Sequence, residues 1–123
     1  MPVALSTAQA LTLWHHVALA MVRDEEPDLS LRQASILLTV YLEAPPHTVR
    51  GLAARLGVSK PVITRALDTM GKLDLLSRRR DEKDRRNVLV QRTVKGALYL
   101  ERRCRLSLRK HLVAACVMGG RRE

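Results

Sequence analysis

The feature that most limits the possible folds is a very short connection between two helical patterns. Residues 48–56 carry apolar side chains at helical spacing, and residues 60–72 do so again. Only Gly57 and Val58 stand between the first pattern and Ser59, which is suited to cap the second helix. Gly57 can adopt the left-handed conformation that ends a helix at little steric cost. Two short helices joined by such a turn are the sequence form of a helix-turn-helix.

The second of these helices divides clearly into a core face and an outer face. Apolar residues recur at steps of one, three and four, as a buried stripe requires, at Val62, Ile63, Ala66, Leu67 and Met70. A proline fits the first turn, because its missing N–H is not needed there. The outer face is then predicted to carry Lys60, Pro61, Thr64, Arg65 and Asp68.

A β-hairpin is predicted after this helix, with helices before and after the whole arrangement. Two segments that can form strands, residues 75–80 and 87–92, flank residues 81–86, which contain no apolar side chain. A preceding helix begins at Ser30, and its buried side is predicted to hold Ala34, Leu37, Leu38, Tyr41 and Leu42. Further helices are predicted over about 6–22 and 93–117.

The predicted fold class is therefore mainly α with a small β-hairpin, a winged helix-turn-helix flanked by N- and C-terminal helices. A length of 123 residues fits a single domain over residues 1–123. The flanking helices carry more apolar surface than a three-helix core needs, so we expect them to form the interface of a homodimer.

Positive charge is concentrated in the second half of the chain. Residues 1–58 hold four basic and five acidic residues, whereas residues 59–123 hold the other 18 basic and seven acidic ones. Clustered positive charge attracts polyanions and releases their counterions on contact. We therefore expect a nucleic acid to meet the second half. Paired catalytic carboxylates, a nucleophile elbow and a phosphate loop are not found, so an enzyme is not expected.

Four segments together resemble the MarR family of bacterial transcription regulators. The resemblance covers about residues 29–96 and is carried by 29–33, by the helix-turn-helix over 52–65, by the acidic and basic run 81–86, and by Thr93 to Gly96. It implies a regulator that binds double-stranded DNA. Asp74 stands where the family usually has glycine, and an aspartate tolerates the left-handed backbone better than most residues. Family members generally continue further, so the resemblance also implies a regulator shortened at the C-terminus.

Residues on the helix-turn-helix are predicted to contact DNA in two ways. Arg65 is best placed for a bidentate hydrogen bond to a guanine edge, with Thr64, Lys60 and Pro61 beside it. Ser59 and Thr48, as helix caps, can present hydroxyl and first-turn N–H groups to phosphates.

The hairpin, or wing, is predicted to supply the remaining contacts. Arg86 would enter a minor groove, and the resemblance implies that Asp84 holds it in position. Arg80, Lys83 and Arg85 would contact phosphates.

Other interpretations stay open on the sequence alone. A winged-helix protein–protein adaptor and a non-specific nucleic-acid-binding protein are the alternatives. Trp14 and Tyr41 could line a small-molecule effector pocket, and Cys104 or Cys116 could sense redox changes, although ordinary core and thiol roles are more common. We expect no cofactor, metal site or membrane segment, and a cytoplasmic location.

Overall fold

The computed structural model describes residues 4–23 and 28–105. Contacts between residues divide the chain into two compact units, Leu29–Tyr99 and a second that combines Met1–Asp28 with Leu100–Glu123. The prediction of a single domain over residues 1–123 stays a prediction. In the second unit, helix α1 spans Thr7–Arg23, and the buried Arg103 donates a hydrogen bond from Nη1 to the carbonyl of Ala20 at 3.2 Å.

The unit Leu29–Tyr99, called here the winged unit, contains the predicted helix-turn-helix and hairpin. Its elements are α2 (Leu31–Leu42), β1 (His47–Thr48), α3 (Val49–Leu56), α4 (Lys60–Lys72), β2 (Leu76–Arg80) and β3 (Val88–Arg92). A last helix, α5, begins at residue 94 and is described as far as residue 105. The predicted fold class and hairpin are confirmed, and the predicted stretch 106–117 of the last helix lies outside the described residues.

One strand was not predicted. The sheet has three antiparallel strands in the order β1-β3-β2, and the short β1 pairs His47 with Val90 and Thr48 with Leu89. A two-residue strand has no periodicity of its own, because it exists only through its pairing with β3. It anchors the base of the wing directly to the start of α3.

The local signals for the turns are confirmed. Gly57 ends α3 in the left-handed conformation at φ 69°, and Asp74 adopts φ 58° after α4. Ser30 caps α2 in a capping box, with its hydroxyl accepting from Gln33 N at 3.1 Å and its own N–H donating to Gln33 Oε1 at 2.9 Å. Ser30 thus fixes the start of α2, Gly57 the turn between α3 and α4, and Asp74 the turn that follows α4.

The core prediction was right for α4 and partly wrong for α2. Ile63, Ala66, Leu67 and Met70 of α4 are buried and Val62 is half-buried. In α2 the buried residues are Ile36, Leu37 and Val40, whereas the predicted core residues Leu38 and Leu42 are exposed and Ala34 and Tyr41 are half-buried. Because α2 is apolar on more than one side, its sequence pattern alone could not decide which side packs against α4 and β3.

A group of hydrogen bonds around Thr93 ties the winged unit together. The Tyr41 hydroxyl donates to the Thr93 carbonyl at 2.6 Å and accepts from the Thr93 N–H at 3.0 Å. The Thr93 hydroxyl donates to the Asp74 carbonyl at 2.7 Å and accepts from Gly96 N at 2.9 Å. A Cβ at Gly96 would lie 2.2 Å from the Leu75 carbonyl oxygen and 2.5 Å from the Tyr41 hydroxyl oxygen. Only glycine therefore fits at position 96.

Replacing this glycine should destabilise the protein strongly. We expect Gly96→Ala to lower the free energy of unfolding by about 3 kcal/mol, because backbone must move to admit the methyl group. The matched control is Gly71→Ala on α4, where a Cβ meets nothing within 4 Å. That variant should be more stable by about 0.5–1 kcal/mol. Urea unfolding measures both, and equal stabilities for the two variants would contradict the close packing described around Thr93.

Candidate nucleic-acid interface

The outer face of α4 is presented to solvent as the sequence predicted. Lys60, Pro61, Thr64, Arg65 and Asp68 are all exposed. The helix is held by its opposite face, where Ile63 and Met70 are fully buried. The exposed side chains therefore project from a rigid helix, which is the geometry that a reading helix in a DNA groove requires. Their contacts with DNA stay predictions.

An ion pair connects this face to the wing. Arg78 of β2 donates from Nη2 to Asp68 Oδ1 at 2.6 Å. Both side chains are partly exposed, so the pair stabilises the fold by about 1 kcal/mol or less. Its larger effect is on the surface charge, because it neutralises the one acidic side chain among the five exposed α4 residues named above.

The tip of the wing uses its acidic residues to shape the backbone. Asp81 Oδ1 accepts from Lys83 N at 3.0 Å, and Asp84 Oδ1 accepts from Arg86 N at 3.1 Å. The strands close below them through Asp81 N to the Asn87 carbonyl at 3.1 Å. Asp84 thus contacts the main chain of Arg86, two residues on, as in an Asx turn.

This arrangement leaves the basic side chains of the wing facing outward. The residues predicted to contact DNA from the wing, which are Arg80, Lys83, Arg85 and Arg86, are all exposed. Within the described residues none of them forms an ion pair. Their guanidinium and ammonium groups are therefore available to a polyanion.

The two predicted caps differ in structure. Thr48 is half-buried in β1, and its hydroxyl oxygen accepts from Gly51 N at 2.9 Å, so it caps α3. Ser59 is exposed at the N-cap of α4 and makes no side-chain capping hydrogen bond. The Thr48 hydroxyl therefore stabilises the start of α3, whereas the Ser59 hydroxyl makes no capping hydrogen bond to α4.

Sequence reasoning missed one basic residue of this surface. Arg32, from the half of the chain with a slightly negative charge, lies with Arg65 on the lining of a groove of about 220 Å³ between the first turn of α2 and α4. Counting charge along the chain could not find it, because the groove forms only when α2 packs against α4. The one sequence feature that could have pointed to Arg32 is its position in the first turn of α2, after the Ser30 cap.

A second concavity lies at the base of the wing. It has a volume of about 450 Å³, and its lining includes Val40, Pro46, His47, Arg79 and Arg92. Arg92 is held in place, since its Nε donates to the Val40 carbonyl at 3.0 Å and its guanidinium lies 5.5 Å from the centre of the Tyr41 ring. These contacts stabilise the base of the wing, and they do not indicate which ligand, if any, the concavity would bind.

The residues predicted to bind an effector or to sense redox changes are not brought together within one compact unit of the described residues. Trp14 is exposed on α1 in one unit, and Tyr41 bonds to Thr93 in the other, so an effector pocket between them stays a prediction. Cys104 is an exposed free cysteine, and Cys116 lies outside the described residues. None of the helices among the described residues is long and apolar enough to cross a membrane.

Comparisons with known proteins agree with this architecture. The sequence model of the MarR family matches residues 29–88. The transcriptional regulator BldR from Sulfolobus solfataricus is 31% identical, and the match covers 90% of this chain and 78% of that one with a TM-score of 0.60. No curated protein sequence matches the chain.

Two other solved structures have the same fold. A MarR mutant from E. coli complexed with operator DNA is 23% identical, with 85% of this chain and 69% of that chain covered and a TM-score of 0.63. A mutant of MepR from S. aureus is 19% identical, with 91% and 85% covered and a TM-score of 0.66. At these lower identities the two structures establish the fold alone.

The two cap residues give a direct test of the local geometry. We expect Thr48→Ala to lower the free energy of unfolding by about 1 kcal/mol, because the Gly51 N–H loses its acceptor. Ser59→Ala should change it by less than about 0.5 kcal/mol, since no capping hydrogen bond is lost. Chemical denaturation of both variants measures the difference. A larger loss for Ser59→Ala than for Thr48→Ala would show that the assignment of the caps is wrong.

Proposed function

The chain belongs to the MarR family, and from this premise we propose that it is a transcription regulator that recognises a specific sequence in double-stranded DNA. In this proposal α4 enters the major groove, and the wing reaches the adjacent minor groove or backbone. The observation that carries the proposal is the exposed Arg65 face of α4, joined to a basic wing by the ion pair between Asp68 and Arg78.

The side chains divide into those that would read bases and those that would hold the backbone. Arg65 would donate two hydrogen bonds to a guanine edge, with Thr64, Lys60 and Pro61 against neighbouring bases. Ser59 and Thr48 would donate to phosphates at the two helix starts. On the wing, Arg86 would enter the minor groove, and the cations of Arg80, Lys83 and Arg85 would contact phosphates.

A homodimer is part of the proposal. Helix α1 exposes large apolar side chains, with Leu11 56%, Trp14 63% and Val22 73% accessible. Large apolar side chains left exposed to water favour burial against another chain. Two copies would place two α4 helices about one turn of DNA apart, roughly 34–36 Å, and so match a pseudo-palindromic site.

The protein–protein adaptor is less well supported than the regulator. One feature that favours an adaptor is an acidic residue, Asp68, on the outer face of α4, where it would repel DNA. That carboxylate is paired with Arg78, so the face presents net positive charge. The free basic side chains of the wing favour a polyanion over an ordinary protein surface.

Arg65 provides the test that separates specific from non-specific binding. We expect Arg65→Ala to weaken binding to a duplex selected from a random pool by about 1–3 kcal/mol, with little effect on random duplex DNA. Fluorescence anisotropy titrations with both duplexes would measure this difference.

The matched control is Arg85→Ala on the wing. As a phosphate contact it should weaken binding to both duplexes alike and reduce the salt dependence. Equal weakening of both duplexes by Arg65→Ala would mean that Arg65 contacts phosphate and not a base. If the unaltered protein binds no duplex DNA at low salt, the adaptor replaces the proposed function.

A further inference from the structure

We propose that Arg32 contacts a phosphate of the DNA backbone beside α4, so that the DNA is held from α2 as well as from the helix-turn-helix and the wing. This inference rests on the proposed function and adds one contact to it. It assigns the groove between α2 and α4 as the seat of that phosphate.

The lining of the groove suits an anion. Its residues are Ser30, Arg32, Gln33, Val62, Arg65, Ala66 and Thr69, which include two guanidinium groups and no carboxylate. Arg32 and Arg65 are both exposed, and no ion pair within the described residues engages either of them. The Arg32 guanidinium offers several N–H donors to a phosphate oxygen, and the positive charge of Arg65 on the same concave surface adds to the attraction while its own donors would face a base.

The other polar side chains of the groove already make hydrogen bonds within their own helix turns. Gln33 and Ser30 exchange two hydrogen bonds in the capping box, at 2.9 and 3.1 Å. The Thr69 hydroxyl donates to the Arg65 carbonyl at 3.4 Å. The capping box also fixes the first turn of α2, so Arg32 projects from a rigid point. The guanidinium of Arg32 is thus the charged donor of this groove that the proposed function leaves unassigned.

Position distinguishes a phosphate contact from a base contact. A major groove about 12 Å wide admits one helix, and the sugar-phosphate backbone forms its walls. Arg32 belongs to a second helix beside α4, so it would face a wall when α4 lies in the groove.

The wing flanks a different edge of the same helix. Arg65 and Thr69 form one row along α4 at a spacing of four residues and line the groove with Arg32. Thr64 and Asp68 form the neighbouring row, and Asp68 pairs with Arg78 of the wing. Basic side chains therefore lie beside both exposed rows of α4. This is the arrangement needed to contact the two sugar-phosphate backbones on either side of the major groove.

Salt-dependent titration of Arg32 variants tests the contact. We expect Arg32→Ala to bind both a selected and a random duplex about tenfold more weakly, and to lower the slope of log K against log salt by about 0.9, the value for one phosphate. Arg32→Lys should recover most of the slope. Arg23→Ala removes an exposed cation from α1 and should leave the slope unchanged.

A duplex with single methylphosphonate substitutions locates the phosphate. Neutralising the contacted position should weaken the unaltered protein and leave Arg32→Ala unaffected, a coupling that a structural role would not produce. An unchanged slope, or a loss confined to the selected duplex, would overturn the inference and leave the proposed function intact. Absence of any binding by the unaltered protein would overturn the proposed function, and this inference with it.

Discussion

The winged unit depends on the hydrogen bonds that converge on Thr93. Its main-chain N–H and carbonyl both bond to the Tyr41 hydroxyl, and its side chain bonds to the Asp74 carbonyl and to Gly96 N. One residue therefore fixes the end of α2, the turn after α4, the end of the wing and the start of α5. Because β3 ends at Arg92, just before Thr93, the position of the wing relative to α4 is set at this point.

The same connection explains how separate basic groups form one surface. The wing is held at its base by β1 and Thr93, and its first strand is held to α4 by the pair of Arg78 with Asp68. Acidic side chains at the tip, Asp81 and Asp84, bond to main-chain N–H groups and shape the turn. Most carboxylates of this region thus serve the fold, while Arg65 and the arginines of the wing tip remain exposed to solvent.

Local signals in the sequence were enough for the parts of the fold that depend on short-range chemistry. Gly57, the Ser30 cap and the stripe on α4 each act through neighbours a few residues away, so their pattern was readable. The strand β1, the buried side of α2, the role of the Tyr41 hydroxyl and the groove at Arg32 depend on residues distant in the chain. These four features form only when the chain packs, so residue spacing in the sequence does not predict them. The exposure of the predicted DNA contacts on α4 and the wing was foreseeable from short-range pattern, whereas the half-burial of Thr48 in β1 and the pairing of Asp68 with Arg78 were not.

We propose that two copies of this basic surface recognise one symmetric DNA site. Selection of bound duplexes from a random pool, followed by sequencing, tests specific reading and dimeric binding together. We expect enrichment of a two-fold-symmetric sequence whose half-sites lie about one helical turn apart. Recovery of unenriched sequences, or of a single half-site without a symmetric partner, would contradict it.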